Sequence, residues 1–382
     1  MSDQILWLML SQLPLSRQQK HRLLDRFGTV ERILLDKANY SALSQQCKTK
    51  GKSLVPIEQL MSEAHSRLAR VEHLGWQLLT PSMPDFPQTL LDIPDPPILI
   101  YACGAPRALC QPLVAIVGSR KATPLGLKLA QRFAAQLSSW GIAVVSGLAR
   151  GIDTAAHEGA LMNSDTGTAS APTSAILANG PGAIYPRQNQ VLSERILASG
   201  GVLMTENPPD TALKPYLFPE RNRLISGLSV ATLVIEADMK SGSLVTANQA
   251  LSQGRDVFAV PGALTNPQAR GCHHLIKQGA MLVESPEDII SALHCQLRQL
   301  CPKLKRVEQA TNRSSAANAH DVAKDKTTRA DSILNLLGAQ PLSLDEIEAL
   351  SGLPMAELQV KLSRLELDGQ LIRQSGRYFR SS

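Results

Sequence analysis

Two short stretches of the 382-residue chain gather side chains suited to holding an extended anion. The first, FPERNRLISGLS at 218–229, sets Arg221, Asn222 and Arg223 beside Phe218, with Lys214 and Tyr216 just upstream. The second, KSGSLVTA at 240–247, places Lys240 ahead of Ser241, Gly242 and Ser243 where a helical pattern begins. Arginines neutralise phosphates while an aromatic face stacks an unpaired base, the combination expected at a single-stranded nucleic-acid site. Small residues opening a helix let a phosphate approach the first amides, where the helix dipole favours negative charge.

Other chemistries find less support. His157-Glu158 lacks the second histidine of a zinc-binding H-E-x-x-H, and His273-His274 has no acidic or thiol partner at metal-ligand spacing. SGSLV lacks the closing glycine of a nucleophile elbow. GSRKATPLG is not a dinucleotide fingerprint, and GKS at 51–53 has Gln46 where a P-loop needs its first glycine. Asp153 reads as a helix cap rather than a general base. No catalytic residue, metal or cofactor is expected.

The elements that must position these residues are strands alternating with helices. LVAIV (113–117), IAVVS (142–146), SAILA (174–178), GVLMT (201–205), ATLVIEA (231–237), DVFAV (256–260) and AMLVE (280–284) are short β-branched runs, mostly bounded by Gly, Pro or Asn. Helical patterns fill the gaps, which predicts a parallel sheet covered on both faces. Thr123 with Pro124 suits a helix start. Ligands of such sheets bind beyond the carboxyl ends of the strands. Reading the residues that follow each strand gives Gly118-Ser119-Arg120, Gly147 through Gly151, Asn179-Gly180, Glu206-Asn207 and Lys240 through Ser243. All fall on one edge, and all but the acid are small, polar or basic.

Around this core the chain divides further. Residues 1–75 read as short helices, with a helix–Gly–helix hairpin at DRFGTVERIL; 76–112 form a Pro-rich adaptor; 113–297 carry the sheet. NSDTGTASAPTS (163–174) reads as a loop, and 298–328 as a flexible basic linker. In 329–382, three amphipathic helices precede QLIRQSGRYFR, a hairpin turning at Ser375-Gly376, which is the winged-helix order. The third of those helices carries Glu357, Glu366 and Asp368, so a partner-binding or structural role fits it at least as well as duplex reading. Net charge is +6, and its excess lies in residues 1–75 and in the linker, where it adds non-specific attraction to phosphates. Six scattered cysteines without a C-x-x-C pair suit a reducing cytoplasm. Neither a signal peptide nor a membrane span is read from the sequence.

With these residues assembled, the chain resembles the DprA/Smf family of DNA-processing proteins. The likeness runs through VAIVGSR (114–120), VVSGLARGIDTAAHEGAL (144–161), YP (185–186), ENPP (206–209) and FPERNRLISGLS (218–229). It continues through VIEADMKSGSLVTANQAL (234–251), GRDVFAVPG (254–262) and RGCHHLIKQGA (270–280). The LANGPGAIYP loop departs from the family pattern, and the 163–174 loop is longer than usual. The resemblance implies an extended Rossmann-like α/β core flanked by an N-terminal helical (SAM-like) domain and a C-terminal winged-helix-like domain. It further implies single-stranded DNA binding, a homodimer and hand-over of incoming DNA to RecA recombinase in natural transformation. The strand-binding residues it implies are Arg120 and the Lys214–Phe218 approach, with Ser241, Gly242 and Ser243 supplying phosphate-binding amides and hydroxyls. The alternative is a nucleotide phosphoribohydrolase of the Lonely-guy type, whose P-G-G-x-G-T-x-x-E motif is absent here.

Overall fold

The computed structural model describes residues 2–48, 53–162, 171–209 and 211–300, and, toward the C-terminus, 342–343, 346–347, 358, 362, 365, 371–374 and 377–380. The chain forms two compact units, residues 1–305 and 306–382.

The first unit is built on nine strands: β1 (Gln77–Leu79), β2 (Ile100–Gly104), β3 (Leu113–Val117), β4 (Ala143–Ser146), β5 (Thr173–Ile176), β6 (Val202–Thr205), β7 (Ala231–Val234), β8 (Asp256–Ala259) and β9 (Met281–Leu282). Their order across the sheet is β1-β2-β6-β5-β4-β3-β7-β8-β9. From β6 to β9 every neighbouring pair is parallel. β2 joins β6 antiparallel, with Tyr101 opposite Thr205, and β1 extends that edge. All seven apolar runs of 113–284 are strands. The Pro-rich segment adds an antiparallel edge that its composition hid.

Continuous apolar runs form these strands because both faces of the sheet are covered. Alternate residues of β3 feed two different cores: Leu113, Ala115 and Val117 point to one, Val114 and Ile116 to the other. The first face is packed by α9 (Leu217–Leu228), α10 (Gly242–Ser252) and α11 (Arg270–Lys277). The second is packed by α6 (Pro124–Ser139), α7 (Ile152–Leu161) and α12 (Pro286–Leu300). Thr123 caps α6 by accepting from Gly126 N, with Pro124 in its first turn, as the sequence predicts. Asp153 differs: Gly151 is the N-cap of α7, and Asp153 lies inside its first turn.

The N-terminal helices are α1 (Asp3–Gln12), α2 (Arg17–Phe27), α3 (Val30–Leu34), α4 (Lys37–Lys48) and α5 (Ile57–His73). Ser16 and Gln19 close a capping box on α2, and Gly28 ends it at φ +80°, a conformation that favours glycine. Thr29 then caps α3, which completes the helix–Gly–helix hairpin. Trp7 and Leu8 share one apolar cluster with Tyr101 and Leu203 of the sheet and with Leu192 of α8 (Gln190–Ala198). This helical layer is therefore packed on the sheet's β6 side.

In the second unit β11 (Leu371–Gln374) and β12 (Arg377–Arg380) form the expected antiparallel hairpin, and β10 (Leu342–Ser343) pairs with the other edge of β12. Leu358, Leu362 and Leu365 are each helical and buried. The turn at Ser375-Gly376, most of the three amphipathic helices, residues 301–328 of the expected linker and residues 163–170 of the expected loop lie outside the described residues.

Candidate nucleic-acid interface

Strand order creates the site. From β3 the chain moves outward through β4, β5 and β6, then returns to place β7 against the opposite side of β3. The loops leaving β3 and β7 thus diverge, and the crevice between them is where doubly wound sheets take their ligands. A trough of about 810 Å³ lies there. Gly118, Ser119, Arg120 and Lys121 line it from the β3 loop; Lys240, Ser241, Gly242 and Ser243 line it from the β7 loop and the start of α10. Lys214 and the first turns of α9, with Phe218, Arg221 and Asn222, complete it.

Within this trough the charges are arranged unevenly. Arg120, Lys121, Lys214 and Lys240 are exposed, and none is ion-paired among the described residues. The Arg120 guanidinium sits 4.8 Å from the centroid of the Phe218 ring, and Tyr185 meets that ring at 6.0 Å, tilted by 59°. Lys214 Nζ lies 6.0 Å from the ring of exposed Tyr216. Asn222 Nδ2 donates to Gly242 O at 3.4 Å and bridges the two sides. The start of α10 is partly satisfied from within. Ser241 Oγ accepts from Ser243 N and sits 2.6 Å from Ser243 Oγ, while Ser241 N donates to Asp238 O and Leu244 N to Ser241 O. Among the described residues Gly242 N is the first-turn amide without a partner, and the serine hydroxyls serve first as a cap.

Three expected residues do other work. Arg221 forms the floor: only 5% exposed, it donates to Ile176 O at the end of β5. Burial lowers its pKa to about 10 although Asp153 nearby favours its charge. Asp153 in turn is raised by burial, against the pull of Arg221 and of two loop amides. Those amides are Gly147 N at 3.1 Å and Ala149 N at 3.3 Å. Gly147 does not line the trough, a correction to the sequence reading; a Cβ there would collide with the Arg221 guanidinium, so the glycine makes room for a side chain and not for a phosphate. Arg223 is a second correction. It is 6% exposed, absent from the trough lining, and bonded to Asp95 O (2.7 Å) and to Glu206. Residues two apart on a helix are turned by about 200°, so α9 can present only one of the two arginines to the trough.

Arg223 belongs to a network that also contains Arg17 of α2, paired to Asp95 at 2.7 Å and to Glu206 at 2.9 Å. Burial lowers the pKa of Arg223. Burial acts the same way on Arg17, but Glu206 and Asp95 outweigh it there and raise the pKa, because this guanidinium sits nearer water.

Sequence reasoning passed over Lys121, Tyr185 and Glu236. Glu236 is the lone acid in the apolar run of β7 and is 7% exposed. Its carboxylate accepts from Thr123 N (2.8 Å), Thr123 Oγ1 (2.6 Å) and Asn266 Nδ2 (3.3 Å), and its carbonyl accepts from Ser119 N (2.7 Å). It fixes the Arg120 loop relative to β7. A carboxylate in the apolar run just beyond β7 was the available signal, since a buried group of this kind requires donors.

A doubly wound α/β sheet with a cationic, aromatic-lined switch point defines the general class, a Rossmann-like α/β protein. Comparison with known proteins narrows it. The family model for DNA recombination-mediator protein A matches residues 77–294, and that for the DprA winged helix domain matches 317–377. Protein Smf of Escherichia coli is 37% identical over 315 residues, covering 82% of this chain and 80% of the relative. DNA processing protein DprA of Bacillus subtilis is 39% identical over 238 residues, covering 62% and 78%. The crystal structure of DprA from Streptococcus pneumoniae aligns with a TM-score of 0.60 at 33% identity, covering 74% of this chain and 95% of that one. DprA from Helicobacter pylori, a structure described by its single-stranded DNA binding mode, aligns with a TM-score of 0.52 at 28% identity, covering 59% and 98%. The chain belongs to the DprA/Smf family.

Proposed function

We propose that the trough binds single-stranded DNA without catalysis, and that the protein protects incoming strands and delivers them to a RecA recombinase during natural transformation. The observation that carries this reading is the set of four exposed cations, without ion-pair partners among the described residues, around a half-buried Phe218. The single-strand binding described for the Helicobacter pylori relative supports it. A cation resting on an aromatic ring is worth about 0.5–1 kcal/mol at an exposed site, whereas base stacking is worth about 1–3 kcal/mol. An unpaired base can therefore displace Arg120 from Phe218, and the released guanidinium is then free for the adjoining phosphate. A duplex keeps its bases stacked on one another and offers no ring to the exchange. Delivery to recombinase, homodimer formation and a cytoplasmic site of action rest on family membership. Among the described residues no helix is long and apolar enough to cross a membrane.

A phosphoribohydrolase would need a glutamate in the first turns of α10, where this chain has Gly242-Ser243-Leu244-Val245-Thr246-Ala247. The discriminating experiment measures anisotropy of labelled single-stranded and duplex oligonucleotides at two salt concentrations, alongside a search for free base released from nucleoside monophosphates. Salt-sensitive preference for single strands with no base release supports the reading; equal affinity for duplex, or base release, removes it.

A further inference from the structure

We infer that Tyr185 is a second base-stacking platform, taking the nucleotide next to the one on Phe218, so that the trough holds two consecutive bases; the inference rests on reading the trough as a single-strand site. Tyr185 reaches the trough from a wall that carries none of its four exposed cations. It belongs to the loop between β5 and α8, whereas the cations come from the β3 and β7 loops and the approach to α9. The ring is presented to the cleft instead of being buried: Tyr185 is 49% exposed, and its hydroxyl has no hydrogen-bond partner among the described residues. Open aromatic side chains that line a cleft are the usual material of binding sites.

The loop that carries this ring is pinned on both sides. Before it, Asn179 Nδ2 donates to Gly180 O at 2.9 Å and to Ala183 O at 2.7 Å. After it, Pro186 is buried, and Asn189 Nδ2 donates to Leu148 O at 2.8 Å and to Thr154 Oγ1 at 2.9 Å. A ring on an anchored loop has little freedom left to lose when a ligand binds. Geometry then sets the number of bases. The Tyr185 and Phe218 centroids are 6.0 Å apart and their planes are tilted by 59°, within the range of edge-to-face pairs. A base inserted between them would need parallel planes and about 7–8 Å, two carbon contact distances of about 3.5–4.0 Å. No such slot exists, so the two rings serve two bases. Phe218 takes its base where Arg120 now rests, 4.8 Å from its centroid, and Tyr185 keeps half of its own surface for the neighbour. The bases then lie toward the two rings, and the phosphates run along the β3 and β7 loops.

The test measures anisotropy of the full-length protein, at low salt, with a labelled oligothymidylate of about twelve residues and with a sugar–phosphate chain of the same length that carries no bases. Tyr185→Ala should lose roughly five- to hundredfold on the oligothymidylate and keep wild-type affinity for the base-free chain. Its salt slope should stay that of wild type, since no phosphate contact is removed. Tyr185→Phe and Tyr185→Trp should retain binding, and Tyr185→Leu, apolar but without a π face, should not. In a Phe218→Ala background Tyr185→Ala should cost a further several-fold, because it holds a base of its own. No loss on the oligothymidylate, equal losses on both chains, a flattened salt slope or full binding by Tyr185→Leu overturns the second platform. So does the absence of any further loss in the Phe218→Ala background, which would leave Tyr185 as a support for Phe218. Failure of the trough reading shows separately, as oligothymidylate binding that survives Arg120→Ala.

Discussion

Two cationic regions lie on opposite sides of α9 and treat the same residue types differently. On the trough side Arg120, Lys121, Lys214 and Lys240 are exposed and lack carboxylate partners among the described residues. On the other side Arg17 and Arg223 are locked to Asp95 and Glu206, and Arg223 is 6% exposed. A guanidinium does not declare its role by itself. Its role follows from whether the fold has already supplied the counter-charge: where it has, the arginine joins two elements, and where it has not, the ligand must complete it.

The sharpest way to break this contrast is Arg223→Ala. Removing one partner of a buried pair strands the others, at a cost of about 3–5 kcal/mol. Urea unfolding should show that loss, while the folded fraction still binds a short single strand within about twofold of wild type. Weak short-strand binding with unchanged stability would move Arg223 back to the ligand. Gly147→Ala is next: its Cβ lands on the Arg221 guanidinium, and such overpacking costs roughly 1–3 kcal/mol in thermal or urea unfolding. A neutral result would mean that the trough floor is looser than the structure shows.

Phe218→Ala sharpens the other side of the comparison. Loss of stacking should weaken single-strand binding by roughly 1–3 kcal/mol and leave duplex binding unchanged, whereas Phe218→Trp retains both. The effect that appears only on acidification is a pH slope. Thr173 Oγ1 donates to Val144 O, so at 2.7 Å it accepts from His157 Nδ1–H, and His157 Nε2 has no partner among the described residues. Burial, and then Arg221, lower this imidazole to about 3. An unfolded histidine titrates near about 6.5, so below that pH only the unfolded chain takes up this proton. Stability is fully present above about 6.5 and falls toward pH 3, by at most about 1.4 kcal/mol per pH unit. His157→Gln should lack that component in urea unfolding followed against pH. Asp153, which burial shifts in the opposite sense for stability, is common to both proteins and drops out of the difference.

Much of the fold was legible because its signals are local. Each apolar run from Leu113 to Glu284 contains a strand; shortness, β-branched content and flanking Gly, Pro or Asn reveal that, and all but the edge strand β9 are buried on both faces. The rim was legible for the same reason: the residues after parallel strands share an edge whatever the order of the strands. Three things were not. β1 and β2 are a short edge inside a proline-rich segment, and their pairing depends on β6, about a hundred residues away. Arg223 carried the same sequence signal as Arg221, but its counter-charges Asp95 and Glu206 are brought to it only by the tertiary fold. Glycine at 147 was read as access for phosphate, although the space it leaves is filled by Arg221.

The most direct test of the central claim is the salt dependence of single-strand affinity for wild type against Arg120→Ala/Lys240→Ala. If these cations complete themselves with phosphates, the slope of log affinity against log salt should fall by about 0.7 for each, roughly 1.4 in total, with unfolding stability changed by less than about 0.5 kcal/mol. An unchanged slope, with affinity intact at moderate salt, would contradict the account and place the strand elsewhere.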